Sequence, residues 1–565
     1  MRFRLQPSAE LRALGMRARQ IGMLAVLTGA VTGLMVAGFE RLVSDGMLDP
    51  VLRGPIGVQA FAPAAGLALA ALALRWVARG ATPATADEYV RSFHESDDRL
   101  DLRPAPGRVL ASIMTLGTGA PMGFEGPSIY IGASVGTWLQ QRFHRFFAPA
   151  DRKLLMVCGA AAGVAAIFKA PATGMVFALE VPYRQDLARR MLLPAMFSAA
   201  ASYVVFASVN GTTPLFPIAG APPFDLRDLL GAAALGLACG AGARLFAAAL
   251  LAAKSLATRW PRTVRVAIGG GSIAGCFAAG RLLTGESVVI GPGYTTIGWA
   301  LEPGHAFGVI LALFAVRGLA TVFAVGAGGV GGLFVPLVVQ GALAGSAMGS
   351  LVNASAASAT LFPLLGVAAF LGAGYRVPLA AVVFVAESTG RPGFVVPGLI
   401  AAASSQLLMG RASVTPYQQD VRIGLLERRR ALPVTAALRP EAATVPPTAT
   451  VAELYRHHLG ELRLRTVAVV DGTRFCGIVA LADLAAVPPE AWQATLARDV
   501  MHTDVAVADV RWTLGQAIAA MEAADVDRLA VVDGDAFVGI VTTGEILKLD
   551  AILQTAGEPG LTGSP

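Results

Sequence analysis

Gly117-Thr118-Gly119-Ala120-Pro121-Met122-Gly123-Phe124-Glu125-Gly126-Pro127 lies between apolar runs, and Glu125 is its one acidic residue. A carboxylate at membrane depth costs several kcal/mol, from roughly 2.5 upward, so it is rarely there by accident. The glycines permit a broken backbone, and Pro127 suits the first turn of a new helix, where its missing donor is not needed. A helix starting at the break leaves free N–H groups and a positive dipole end pointing into it, an anion site built from main chain. The stretch therefore predicts an anion bound where the chain is broken, with Glu125 competing for the same place.

The rest of the chain supplies the membrane. Of 565 residues 55% are hydrophobic and 15% charged, with mean hydropathy +0.61, which indicates a multi-span membrane protein of more than one domain. Apolar runs fill residues 21–39, 57–79, 109–116, 128–139, 154–168, 171–181, 191–208, 228–253 and 264–283. They continue through 306–325, 333–352, 361–373, 377–386 and 394–409. Several are too short to cross about 30 Å of hydrocarbon as straight helices. Short, Gly/Pro-interrupted pieces at matching places in two halves point to a binding site formed by broken helices.

A basic N-terminus (Arg2, Arg4, Arg12, Arg17, Arg19) leads into the first apolar run, Ile21 to Phe39, with no clear cleavage site after it. That places the N-terminus in the cytoplasm, and Arg428-Arg429-Arg430 puts the tail on the same side. The expected location is therefore the cell membrane, inner or plasma. A net charge of +7 suits contact with anionic lipid, and no aromatic interleaving suggests nucleic acid. The cysteines (Cys158, Cys239, Cys276, Cys476) and the histidines have no metal-ligand spacing, so no metal is expected, and the cysteines read as small core residues.

Two offsets reveal a duplication. Arg108, Gly123 and Pro127 return as Arg317, Gly332 and Pro336, 209 residues on; Lys169, Pro171 and Glu180 return as Arg376, Pro378 and Glu387, 207 residues on. The repeat halves span about 20–210 and 226–420; spacing alone leaves their relative orientation open.

Gly123-Phe124-Glu125-Gly126-Pro127 matches the G-x-E-G-P motif of the CLC family of chloride channels and proton-coupled anion transporters, and Gly332-Leu333-Phe334-Val335-Pro336 matches that family's G-x-F-x-P motif. Ser413-Val414-Thr415-Pro416-Tyr417 resembles the segment that supplies the family's pore tyrosine. The resemblance covers about residues 15–425. It implies inverted repeats and a homodimer with one anion pathway per subunit. By resemblance Glu125 is the gating glutamate. Low dielectric and a bound anion favour its neutral form, and helix N-termini favour its carboxylate. Main-chain N–H groups of Gly123, Phe124, Gly126, Leu333, Phe334 and Val335 would hold the anion, and Tyr417 would add its hydroxyl.

Two departures bear on selectivity and protons. Where the family has a serine before the second helix pair, this chain has Thr82-Pro83-Ala84-Thr85-Ala86-Asp87-Glu88; in the family's register Ala84 takes the serine's place, leaving Thr85 or Thr82 to supply a hydroxyl. After Ala170-Pro171-Ala172-Thr173-Gly174, Glu180 is followed by Val181 where many family exchangers carry a second, proton-passing acid. That favours a voltage- or pH-gated chloride channel, with a proton–chloride (or other anion) antiporter as the alternative. Glu180 and Glu387 read as structural pairs at helix ends. Lys169, Arg376, Arg108 and Arg317 read either as a source of positive potential or as snorkelling side chains.

The tail repeats on a smaller scale. Val467-Ala468-Val469-Val470-Asp471-Gly472 returns as Leu529-Ala530-Val531-Val532-Asp533-Gly534, and Gly477-Ile478-Val479 with Asp483 returns as Gly539-Ile540-Val541 with Glu545, all 62 residues on. Each unit reads as strand, turn, strand and capped helix, similar to a pair of cystathionine-β-synthase-type (CBS) domains. Thr542, Thr543 and Glu545, with Asp483 of the first unit, would suit an adenine nucleotide; Ala480 lacks the matching hydroxyl. A dimerisation role is the other reading, and no cofactor is required for transport.

The expected fold class is an all-α polytopic membrane protein, duplicated as inverted repeats, followed by an α/β CBS pair. The expected boundaries are 1–425 for the membrane domain, 426–433 for a basic linker, 434–555 for the CBS pair and 556–565 for a flexible tail. The remote alternative, an intramembrane metalloprotease, needs H-E-x-x-H, but His94-Glu95 is followed by Ser96-Asp97-Asp98, so the chain does not read as an enzyme.

Overall fold

The computed structural model describes residues 9–95, 100–147, 151, 153–216, 218, 224–352, 360–420, 430–439, 443–456 and 466–556. Arg2, Arg4, Arg428, Arg429, the first half of the expected linker, the His457-His458 pair and residues 557–565 lie outside them. Internal contacts divide the chain into two compact units, residues 1–422 and 423–565.

The first unit is helical. Among the described residues eight helices are long and apolar enough to cross a membrane, from Arg19–Arg53 to Pro392–Met409. Between them lie shorter apolar helices, Leu154–Phe168, Pro171–Glu180, Leu361–Gly374 and Pro378–Thr389. Each close succession of two short helices is broken the same way. Lys169 (φ 52°) and Arg376 (φ 57°) adopt the left-handed conformation, and Pro171 and Pro378 start the next helix. Their charged ends close other helices: Lys169 Nζ donates to the Asn210 carbonyl at 3.1 Å, and Arg376 donates to the Gly410 carbonyl. Cations at helix C-termini complement the negative dipole end. Neither a diffuse field nor snorkelling is needed to explain them.

The halves cap each other. Glu180 accepts from the Leu379 and Ala380 amides (3.2 and 2.9 Å) at the start of Pro378–Thr389. Glu387 accepts from the Ala172 and Thr173 amides (2.9 and 2.7 Å) and the Thr173 hydroxyl (2.6 Å) at the start of Pro171–Glu180. This reciprocity, with the antiparallel pairing of Gly123 and Gly332, relates the halves by an approximate two-fold axis. We expect Glu387→Ala to lower the thermal midpoint in detergent, since each buried donor left unpaired costs about 1–3 kcal/mol. Chloride-over-nitrate preference, measured on the same preparation, should stay at the wild-type value.

Small residues bring the helices together. A side chain on Gly132 would collide with the Gly159 carbonyl, and one on Gly341 with that of Gly366; the same holds for Gly136 against Leu155 and Gly345 against Phe362. These four contacts obey the 209 and 207 offsets, so the close Glu125–Arg142/Leu154–Phe168 packing is repeated by Phe334–Leu351/Leu361–Gly374. Close backbone approach of this kind is how helices associate in lipid, where hydrophobic burial gives no preference for protein over lipid.

The second unit holds a seven-stranded sheet, β1 (Leu438–Arg439), β2 (Thr444–Val445), β3 (Thr466–Asp471), β4 (Arg474–Ala480), β5 (Val507–Asp509), β6 (Arg528–Asp533) and β7 (Ala536–Thr542). Its order is β2-β3-β4-β7-β6-β5, with β1 on β7. Hairpins β3–β4 and β6–β7 turn through Gly472-Thr473 and Gly534-Asp535, where both glycines have positive φ (62° and 61°), as a two-residue hairpin opening on glycine allows. Each hairpin feeds a helix, Leu481–Leu484 or Thr543–Ala556.

Candidate functional site

Glu125 opens the helix Glu125–Arg142, and Phe334, 209 residues on, opens Phe334–Leu351. The breaks before them meet as an antiparallel bridge, the Gly123 amide donating to Gly332 O (3.0 Å) and the Gly332 amide to Gly123 O (2.8 Å). The expectation that Gly123 offers its N–H to an anion is thus corrected, because the partner strand takes it.

The Glu125 carboxylate occupies the site instead. It is 0% exposed, and its Oε1 accepts from the Phe334 amide at 2.5 Å, with the Val335 amide also facing the carboxylate. Oε2 has no hydrogen-bond partner among the described residues. Two glycines make room: a Cβ on Gly123 would overlap Oε2, and one on Gly332 would overlap Oε1. The carboxylate stands where a small anion would accept the same amides.

Aromatic rings wall the seat. Phe334 packs on Phe168, Phe384 and Phe177 (centroids 4.4, 4.9 and 5.4 Å), and Phe124 meets Phe39 edge-on at 6.4 Å. Leu333, Phe334, Val335 and Phe124 are all buried. Of the candidate hydroxyls, Thr85 reaches the site: it is buried, donates to Gly331 O at 3.4 Å, and blocks any side chain at Gly126. Thr82 is taken by Arg108, whose guanidinium also contacts the Tyr130 hydroxyl and Glu88. Arg317 occupies the equivalent place in the second half, donating to the Val289 and Gly291 carbonyls.

Tyr417 is not brought in. Residues 417–420 run beside Tyr183–Gln185, and Gln418 takes the inward position, its amide donating to the Val181 and Tyr375 carbonyls (2.8 and 2.7 Å). Tyr417 sits in the turn formed with Pro416 and is left 43% exposed. A tyrosine that sequence reasoning passed over is brought in: Tyr375 is 3% exposed, with its ring edge-on to Phe177 at 5.4 Å. Its position, 207 residues after Phe168, was the available signal.

A family model described as voltage gated chloride channel matches residues 66–410, and one for the CBS domain matches 434–490 and 497–551. The chain belongs to the CLC family. Among its relatives, the H(+)/Cl(−) exchange transporter ClcA of Cronobacter sakazakii is 30% identical over 429 residues, covering 72% of this chain and 90% of that protein. The ClcA of Yersinia pestis is 26% identical over 445 residues, covering 75% and 92%. Two solved structures share the fold. One, a slow cyanobacterial Cl−/H+ antiporter, has TM-score 0.59 at 22% identity and covers 69% of this chain and 95% of its own. The other, a eukaryotic CLC transporter, has TM-score 0.59 at 18% identity and covers 94% and 98%.

This CLC chain is therefore a multi-pass membrane protein with a CBS pair. Within that pair the two half-sites differ. Thr542 Oγ1 accepts from the Glu545 amide at 3.2 Å, capping the long final helix, while Glu545 pairs with Lys548 at 3.0 Å and Thr543 donates to Asp527 O. In the first unit Asp483 accepts from the Ala480 amide (2.7 Å) and from His502 (2.8 Å), so both its oxygens are engaged.

Proposed function

We propose that this protein exchanges protons for chloride, or a similar small anion, across the membrane, and that it acts as a transporter rather than an enzyme. The observation that carries the reading is the Glu125 carboxylate buried on the Phe334 amide. An anion enters that seat only when the carboxylate leaves, and a carboxyl group that gives up those amides with an anion beside it is stabilised by taking a proton. Anion movement and proton movement then share one step. The ClcA relatives, named as H(+)/Cl(−) exchange transporters, support exchange over the passive channel favoured by sequence alone.

Val181 favours the channel as a second reading: it is buried, it carries no acid, and its carbonyl is held by Gln418. Liposomes with a chloride gradient and an internal pH dye distinguish the two. Uphill proton movement driven by chloride is the expected result; chloride loss with no proton movement would establish the channel.

By resemblance to the family, the chain works as a homodimer with one pathway per subunit, in the bacterial inner membrane, its N-terminus and CBS pair cytoplasmic. The ligand proposed for Thr542, Thr543 and Glu545 is an adenine nucleotide. Calorimetry of the full-length protein with ATP, ADP and AMP should give heat with at least one, lost in Thr542→Ala. Silence with all three would leave the pair a scaffold.

A further inference from the structure

The duplication fixes more than the helices. Phe334 and Glu125 are equivalent positions, as are Phe168 and Tyr375. Across the halves, Phe168 packs on Phe334 with centroids 4.4 Å apart. The two-fold relation carries that pair onto Tyr375 and Glu125. One side of the pseudo-symmetric pair is thus a phenyl ring on a phenyl ring. The other is a phenol beside a carboxylate.

Tyr375 is also firmly held. Its amide donates to the Leu371 carbonyl (3.2 Å), closing the helix Leu361–Gly374, and its carbonyl accepts from Gln418 at 2.7 Å. Its ring lies edge-on to Phe177 at 5.4 Å, the same Phe177 that packs on Phe334. The Tyr375 hydroxyl lies toward Leu333, with one proton to donate. The Phe334 and Val335 amides, next along the chain, are the ones that face the Glu125 carboxylate.

We propose that Tyr375 supplies the hydroxyl that donates to the anion in this seat, the role expected of Tyr417. Burial of Tyr375 and the Phe177 ring edge-on to it keep water from competing with the hydroxyl. The donor comes from the turn between Leu361–Gly374 and Pro378–Thr389, whereas the 413–418 segment contributes the Gln418 brace beneath it.

The inference rests on the transport reading above, and one set of measurements separates the two. Wild-type, Tyr375→Phe and Tyr417→Phe proteins are compared for chloride binding by calorimetry and for chloride-over-nitrate flux in liposomes. Tyr375→Phe keeps the ring and its packing, and losing one hydrogen bond to a charged group should weaken chloride binding about tenfold. The chloride-over-nitrate ratio should move with it, a change that a purely structural hydroxyl would not cause. Tyr417→Phe should bind and discriminate as the wild type does. Wild-type affinity and selectivity in Tyr375→Phe, or a loss confined to Tyr417→Phe, would overturn the assignment. Absence of anion flux in the wild type itself would instead overturn the transport reading.

Discussion

Glutamine at position 125 is expected to abolish chloride-driven proton movement while anion flux continues, at acid and neutral pH alike. The carboxylate holds its seat through charge-assisted hydrogen bonds from main-chain amides. A neutral carboxamide accepts the same bonds about half as strongly, so an anion displaces it readily. It also has no proton to carry. In reconstituted vesicles, Glu125→Gln should therefore show chloride efflux with an internal pH trace no different from that of empty liposomes. Retention of the wild-type pH response would remove Glu125 from the gate.

Alanine at position 332 is expected to have the opposite effect on anions: both chloride flux and proton movement fall to the leak of protein-free vesicles. The added Cβ would overlap the carboxylate oxygen that accepts from Phe334, the place an anion would also occupy. Gly332 cannot retreat, because its amide and its carbonyl are both bonded to Gly123. One methyl group therefore excludes the acid and the anion together. Size-exclusion chromatography of Gly332→Ala would confirm that the fold survives. Wild-type flux through such a protein would mean that anions bind somewhere else.

These contrasting outcomes, one substitution freeing the seat and the other filling it, follow from features that the sequence made legible to different degrees. The break itself could be read from glycine, proline and a lone glutamate. The 209 and 207 offsets paired residues that later prove to touch, Gly123 with Gly332 and Glu125 with Phe334 among them. Helix-end pairing of Glu180 and Glu387 was also legible, since an acid at the end of a short apolar helix must find donors. The glycine pairs Gly132–Gly159 and Gly341–Gly366 obey the same offsets and could have been found that way.

Other features depend on directions that spacing does not carry. Tyr417 and Gln418 are adjacent, and only the path of the backbone beside Tyr183 decides which faces inward. The Gly123 amide looked free until the second half supplied its acceptor. The contact of Asp483 with His502, 19 residues on, could not be read from spacing. Val181 pointed toward a channel by comparison with one expected acid, whereas the buried acid the structure sets on the Phe334 amide is Glu125.

The competition between carboxylate and anion is tested most directly by crystals of Glu125→Ala grown in bromide, located by anomalous scattering. The account predicts a bromide within hydrogen-bond distance of the Phe334 and Val335 amides, in the space the wild-type carboxylate fills. No bromide at those amides, with the helix starts otherwise unchanged, would contradict it.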